Sequence, residues 1–208
     1  MRILELFSGT KSIGKAFERL SHEVVSVDLD PTFEPTLIVD VLTWDYTEFE
    51  PGIFDFVHAS PPCTHYSVAR TRGGPRDLAG ADALVNKVLE IIDYFHPTFW
   101  LIENPATGLL KTRPCIQCLP PPLTCSYCMY CAWGYRKNTH FWTNLCLDLK
   151  TCDKACPGYE NGRHPNIAQR MTKFIDSVNR SNRLADLYRI PDDLCDVVAR
   201  AVVDGVVV

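Results

Sequence analysis

Two adjacent prolines, Pro61 and Pro62, stand between the apolar run Ile53-Phe54-Asp55-Phe56-Val57-His58 and Cys63. Neither proline can donate to a sheet ladder, and Pro62 also restricts the backbone of Pro61, so a strand arriving here must turn at once. The turn holds Cys63 at the carboxyl end of a buried strand, which is the edge where open parallel sheets bind ligands. A thiol fixed there is a candidate nucleophile. A half-buried cysteine in a proline turn is the plain structural alternative.

Further segments share that layout. Arg2–Phe7 is a continuous apolar strand, followed by the small-residue turn Ser8–Ser12 and a helix over Ile13–Leu20. The free N–H groups at such a helix start, approached through small residues, suit a ligand. Glu23–Val27 is a strand ending in Asp28, where dinucleotide folds keep a ribose-binding carboxylate. Thr36–Val39 ends in Asp40-Val41, and Phe99–Ile102 ends in Glu103-Asn104-Pro105. Between the last two strands, Leu84, Val88, Ile91, Ile92 and Phe95 mark one face of a helix over Ala79–Phe95, stopped before Pro97. A second amphipathic helix closes the chain, with Pro191 at its start, Asp192 and Asp193 in its first turn and Cys195 on its core face. At 208 residues and 46% apolar composition the chain supports one substantial domain with room for a small appendage.

A cofactor turn at Phe7-Ser8-Gly9, a Pro-Pro-Cys turn and a Glu-Asn-Pro turn, in that order on successive strands, resemble the DNA (cytosine-5) methyltransferase family, in a compact viral or phage-like form. The resemblance runs over residues 2–144 and implies an α/β fold. Its doubly wound, mostly parallel sheet is of the S-adenosylmethionine-dependent methyltransferase type, here with a small Cys-rich appendage. It implies a core over 1–144, a zinc-binding, target-facing insertion over 145–180 and a segment over 181–208 that completes the core. The catalytic roles fall to Cys63, Glu103 and Arg136, of which Arg136 lies in Tyr135-Arg136-Lys137, where the family carries an arginine-bearing hairpin. Lys137 or His140 stands in for the second arginine of that hairpin. S-adenosyl-L-methionine would be held by Phe7, Ser8, Gly9, Thr10, Ser12, Asp28, Leu29, Asp40, Val41 and Pro61. Lys11 and Ser12 stand where the family's turn commonly has glycine. Cysteine in place of an aromatic residue after the prolines points to carbon, not nitrogen, as methyl acceptor. The target base must leave its stack for Cys63 to reach it, so the partner is single-stranded DNA or duplex with a flipped cytosine. The stretch between hairpin and last helix is short for a recognition domain, which leaves room for an accessory recognition protein.

Of ten cysteines, eight fall between Cys115 and Cys156. With no apolar run as long as a membrane span and no signal-like opening segment, an intracellular, soluble protein is expected, and clustered thiols in a reducing compartment favour metal over disulfides. Cys146, Cys152, Cys156 and His164 form one candidate zinc set in a stretch without apolar periodicity; Cys115, Cys118, Cys125 and Cys128 form a rival. The net charge of −4 is divided unevenly, with acids dominating the first sixty residues and bases prominent from Arg70 to Arg189. A basic face of that kind, including the glycine-rich loop Arg70–Arg76 and Arg163, Arg170, Lys173, Arg180 and Arg183, suits phosphate contacts. The same residues would serve an RNA cytosine-5 methyltransferase. A non-catalytic zinc-bearing nucleic-acid-binding module is the alternative from another class.

Overall fold

The computed structural model describes residues 1–205 except 69, 71–73, 132–134, 155, 160, 165, 168–169 and 172–186. Lys173, Arg180 and Arg183, and part of the Arg70–Arg76 loop, therefore lie outside the described residues.

The apolar runs become the strands of one seven-stranded sheet. In chain order they are β1 (Arg2–Leu6), β2 (Glu23–Asp28), β3 (Leu37–Ile38), β4 (Phe56–Ala59), β5 (Phe99–Pro105), β6 (Leu123–Ser126) and β8 (Asn138–Thr143), with β7 (Tyr135–Arg136) outside this sheet. The spatial order is β3-β2-β1-β4-β5-β8-β6. The first five strands are parallel, and β8 runs antiparallel to both β5 and β6. The order reverses at β1, which pairs with β2 on one side and β4 on the other, so the carboxyl ends of these strands open a crevice.

Both faces of the sheet are covered, which explains why its strands read as near-continuous apolar runs. Helix α1 (Ser12–Arg19) and the last helix, α4 (Asp192–Val203), share one face, joined by an Arg19–Asp196 ion pair at 2.5 Å and by Ile13, Phe17, Leu194, Cys195 and Val198 in one buried cluster. Helix α2 (Leu78–Phe95) covers the other, burying Ala81, Val85, Val88, Ile91 and Phe95. Asp77 caps it by accepting from Gly80 N, and a left-handed His96 ends it before Pro97. A short helical turn, α3 (Pro114–Gln117), leads towards β6.

A second, three-stranded sheet joins the Cys-rich segment to the core. Its strands β9 (Asn166–Ile167) and β10 (Arg170–Met171) pair with each other, and β9 pairs in parallel with β7. Leu145 and Leu147, at the start of the segment, are buried in the main core.

Candidate active site

A cleft of ≈ 450 Å³ opens at the carboxyl ends of β1, β2, β4 and β5. The turn after β1 forms its floor. Phe7, Gly9 and Lys11 adopt positive φ (55°, 46° and 55°), and for the two non-glycine residues this is a costly conformation that a tight turn imposes. Lys11 occupies the N-cap of α1 and reaches back with Nζ to the Glu34 carbonyl at 2.9 Å. Asp28 fixes this turn from the next strand, its carboxylate accepting from Gly9 N at 2.8 Å and Asp30 N at 2.9 Å. Thr10 and Ser12 hydroxyls bond each other at 2.8 Å, and Ser12 Oγ also accepts from Ile190 N at 3.2 Å, tying the turn to the segment before α4.

Apolar walls face this floor. Val41 is buried, Leu29 is 65% exposed at the rim, and Phe33, Val39 and Tyr188 complete that end. Asp40 lines the same end while Oδ1 accepts from Leu42 N. Among the described residues, Ser8 Oγ is buried at the floor without a partner. An orphaned hydroxyl, a carboxylate with lone pairs to spare and apolar plates fit a nucleoside with a polar amino-acid tail, as S-adenosylmethionine is. All ten residues expected to hold that cofactor line the cleft.

The other end carries the reactive groups. Beyond β4, Pro61 is buried and its carbonyl accepts from Asn104 Nδ2 at 2.9 Å, so a fully buried amide on β5 fastens the Pro-Pro-Cys turn to the neighbouring strand. The Cys63 carbonyl accepts from Tyr66 N (3.0 Å) and Ser67 N (2.8 Å). Tyr66 is itself pinned, its hydroxyl donating at 2.8 Å to Asp82, which Arg113 also grips. Cys63 is half-buried and lines the cleft with Glu103 and Lys137. Burial pushes its thiol pKa up, Lys137 pulls it back and Glu103 adds to the rise, so the sulfur rests as a thiol.

Glu103 receives two donors on the same oxygen. Tyr127 hydroxyl donates to Oε1 at 3.0 Å, and Lys137 Nζ lies 3.1 Å from it, with the ammonium also 4.7 Å over the Tyr127 ring. Burial works against the Lys137 cation, but Glu103, Tyr135 and Cys63 outweigh it and its pKa ends above the ordinary value.

Arg136 stands apart from the cleft. It is exposed on β7 and does not line the cleft, because successive strand residues alternate and Tyr135 takes the inward position. The chain leaves β7 after Arg136, and the cation delivered to Glu103 is Lys137. His140, the other stand-in, does not line the cleft either.

The metal set is also redrawn. Cys128, Cys152, Cys156 and His164 bring their ligand atoms within 4.8 Å of one another. Cys146 is exposed and outside this group, since its neighbours Leu145 and Leu147 are the residues turned into the core. The rival set is split: Cys115 lies near Asp82, Cys118 is exposed, Cys125 is buried on β6, and only Cys128 joins the cluster.

Two buried cleft residues escaped the sequence reading. Glu5, 1% exposed, accepts from Ile13 N at the start of α1, and burial raises its pKa to about 8. His58, 2% exposed, is pushed down to about 3 by burial. Glu5 Oε1 and His58 Nδ1 are 3.7 Å apart, and with those directions the contact joins two neutral groups. A charged residue inside Leu4-Glu5-Leu6 was the available signal. The basic loop differs as well: Arg70 bonds His65 and the Gly74 carbonyl, and Arg76 bonds the carbonyls of His65 and Ser67, so both fold onto the loop itself.

Residues 1–114 match the family model described as C-5 cytosine-specific DNA methylase. A protein of Frog virus 3 (isolate Goorha), described as "Probable DNA (cytosine-5)-methyltransferase", is 40% identical over 212 residues, covering 92% of this chain and 95% of that one. Among solved structures, an Entamoeba histolytica methyltransferase aligns with a TM-score of 0.54 at 15% identity, over 74% of this chain and 57% of that one. An E. coli prophage protein described as a "putative DNA modification methyltransferase" aligns at 0.50 and 18% identity, over 69% of this chain and 46% of that one. The chain thus spans about half the length of these two solved proteins, and at such identities the likeness is one of fold. No described helix is long and apolar enough to cross a membrane.

Proposed function

Because the chain belongs to the C-5 cytosine-specific DNA methylase family, we propose that it methylates carbon-5 of cytosine in DNA through a covalent Cys63 adduct at carbon-6 of a flipped base. The observation that carries this reading is one cleft holding the Asp28–Gly9 turn at one end and Cys63, Glu103 and Lys137 at the other.

Carbon-5 of cytosine is a poor nucleophile until a thiolate adds next to it. Cys63 supplies that thiolate, its proton passing by way of water to ring N3 as the sulfur adds to carbon-6. Glu103 binds the pyrimidine edge at N3 and the amino group through Oε2, since Oε1 already holds Tyr127 and Lys137. Lys137 stands as the cation beside charge developing on the ring, the role first expected of Arg136. S-adenosyl-L-methionine, when bound, supplies an electrophilic methyl group. The turn from Phe7 to Ser12 would hold its polar tail, Asp28 its ribose hydroxyls and Asp40 its adenine amino group, with Leu29 and Val41 beside the ring. Loss of the carbon-5 proton to water and expulsion of the Cys63 sulfur, which recovers its proton from N3, then regenerate the thiol and leave 5-methylcytosine.

The Cys128, Cys152, Cys156 and His164 group fits one structural zinc ion, and residues 145–180 form the target-facing part, with an accessory protein able to extend recognition.

The test is transfer of tritiated methyl groups to DNA and to RNA in separate incubations, with trapping on 5-fluorocytosine DNA. DNA labelling and an adduct that vanishes in Cys63→Ser are expected. Labelling of RNA alone would move the substrate, and cofactor binding without transfer to either polymer would sink the enzymatic reading.

A further inference from the structure

Resting on the reading that Glu103 engages the cytosine, we propose that a zinc ion in the Cys128, Cys152, Cys156 and His164 group positions this carboxylate. It does so by cross-linking the two chain segments that carry Tyr127 and Lys137.

The covalent layout is direct. Tyr127, which donates to Glu103 Oε1, immediately precedes the ligand Cys128. Lys137 follows β7, and β7 pairs with β9, which begins two residues after the ligand His164. The two arms meet where Tyr127 N donates to the Lys137 carbonyl at 2.9 Å. The loop carrying Cys152 is stitched to the first arm: Ser126 N donates to the Lys150 carbonyl at 3.0 Å, Cys152 N to Ser126 Oγ at 3.0 Å, and Lys150 N to the Tyr130 hydroxyl at 2.7 Å. Ser126 Oγ in turn donates to Asn138 Oδ1 at 2.9 Å, one residue beyond Lys137.

The ligand set is compact enough to close on one zinc ion, its ligand atoms lying within 4.8 Å of one another. His164 Nε2 lies 3.4 Å from Cys152 Sγ and 3.3 Å from Cys156 Sγ. Bonds of about 2.3 Å to sulfur and about 2.0 Å to nitrogen in a tetrahedron require ligand atoms roughly 3.5–3.8 Å apart. Three thiols cannot all pair as disulfides, and a ligand-bearing loop with no helix or strand among its described residues between β8 and β9 needs a cross-link to hold its shape. The cofactor end of the cleft is built from the turns after β1, β2 and β3 and holds none of the four ligands. Metal loss therefore loosens the partners of Glu103 and leaves the cofactor floor in place.

The experiment compares full-length protein as purified, after EDTA treatment and after return of zinc alone. Metal content is measured directly, cofactor affinity by calorimetry, and Cys63 reactivity as its iodoacetamide alkylation rate by peptide mass spectrometry. Expected are about one zinc per chain and a cofactor Kd that changes less than about twofold on chelation. Cys63 alkylation at pH 8 should slow about threefold once the Lys137 charge no longer faces it, and kcat should fall at least about tenfold, with zinc restoring both. In a Tyr127→Phe, Lys137→Met double variant, chelation should no longer change Cys63 alkylation. If chelation unfolds the chain, Cys156→Ser, which keeps three ligands, should give intermediate values of the same readouts. Absence of bound metal, unchanged Cys63 alkylation in the metal-free protein, or an equal metal effect in the double variant would each overturn the proposal. If the zinc-loaded protein methylates nothing, the methylation reading falls, while metal content, cofactor affinity and alkylation still decide the role of the metal.

Discussion

Replacing Glu5 with glutamine should flatten the loss of stability at alkaline pH. Burial, opposed by the backbone N–H groups of Gly14 and Ile13, raises the carboxyl from its ordinary 4.5 to about 8. The folded protein thus holds a proton here that the unfolded chain releases above pH 4.5. The contribution is fully present below the unfolded value and is lost as pH rises towards 8. At 1.36 kcal/mol per unit, wild-type protein should lose about 2.5 kcal/mol more than Glu5→Gln between pH 6 and pH 8.5. The amide keeps an oxygen for Ile13 N and nearly the same volume, and other titrating groups cancel in the difference. Urea unfolding of both proteins at the two pH values is the assay. Parallel changes would mean that Glu5 is ionised in the fold, refuting the neutral contact with His58.

Other outcomes follow from the same geometry. Lys137→Met should lower kcat by about a hundredfold or more, whereas Arg136→Ala should leave cofactor affinity and kcat within about threefold; steady-state kinetics on DNA separates them. Asn104→Ala removes the bond to the Pro61 carbonyl and should cost about 1–3 kcal/mol of stability by urea unfolding, with a loss of kcat as the Cys63 turn loosens. Gly14→Ala would set a Cβ 2.5 Å from Glu5 Oε2 and 3.0 Å from Val24 Cγ1. Crowding of about 1–3 kcal/mol should then outweigh the helix gain of about 1 kcal/mol, giving a lower Tm in calorimetry. His58, held neutral by burial, should withdraw stability as pH falls from 6.5 towards 3, and His58→Asn should remove that acid limb.

The strands and the cleft floor were legible because apolar runs ending in Gly, Pro or Asp leave few local choices. Asp28 and Asn104 stand where the turn chemistry put them. That Lys137 is the cation beside Glu103 was not legible, because a two-residue strand is too short to announce its phase. The grouping of Cys128 with Cys152, Cys156 and His164 was not legible, because such clusters form where loops meet in space. Cys128 reaches Cys152 through hydrogen bonds around Ser126 that no spacing rule contains. Glu5 and His58 hid among apolar neighbours, since sheet burial takes polar residues at inward positions along with the rest.

The depressed acidity of Cys63 bears on chemical wear. Peroxides attack the ionised sulfur far faster than its protonated form, and the first oxidation step leads on to products that cannot be reversed. In the proposed role of nucleophile, a Cys63 that rests as a thiol is attacked by peroxides more slowly than an ionised sulfur would be.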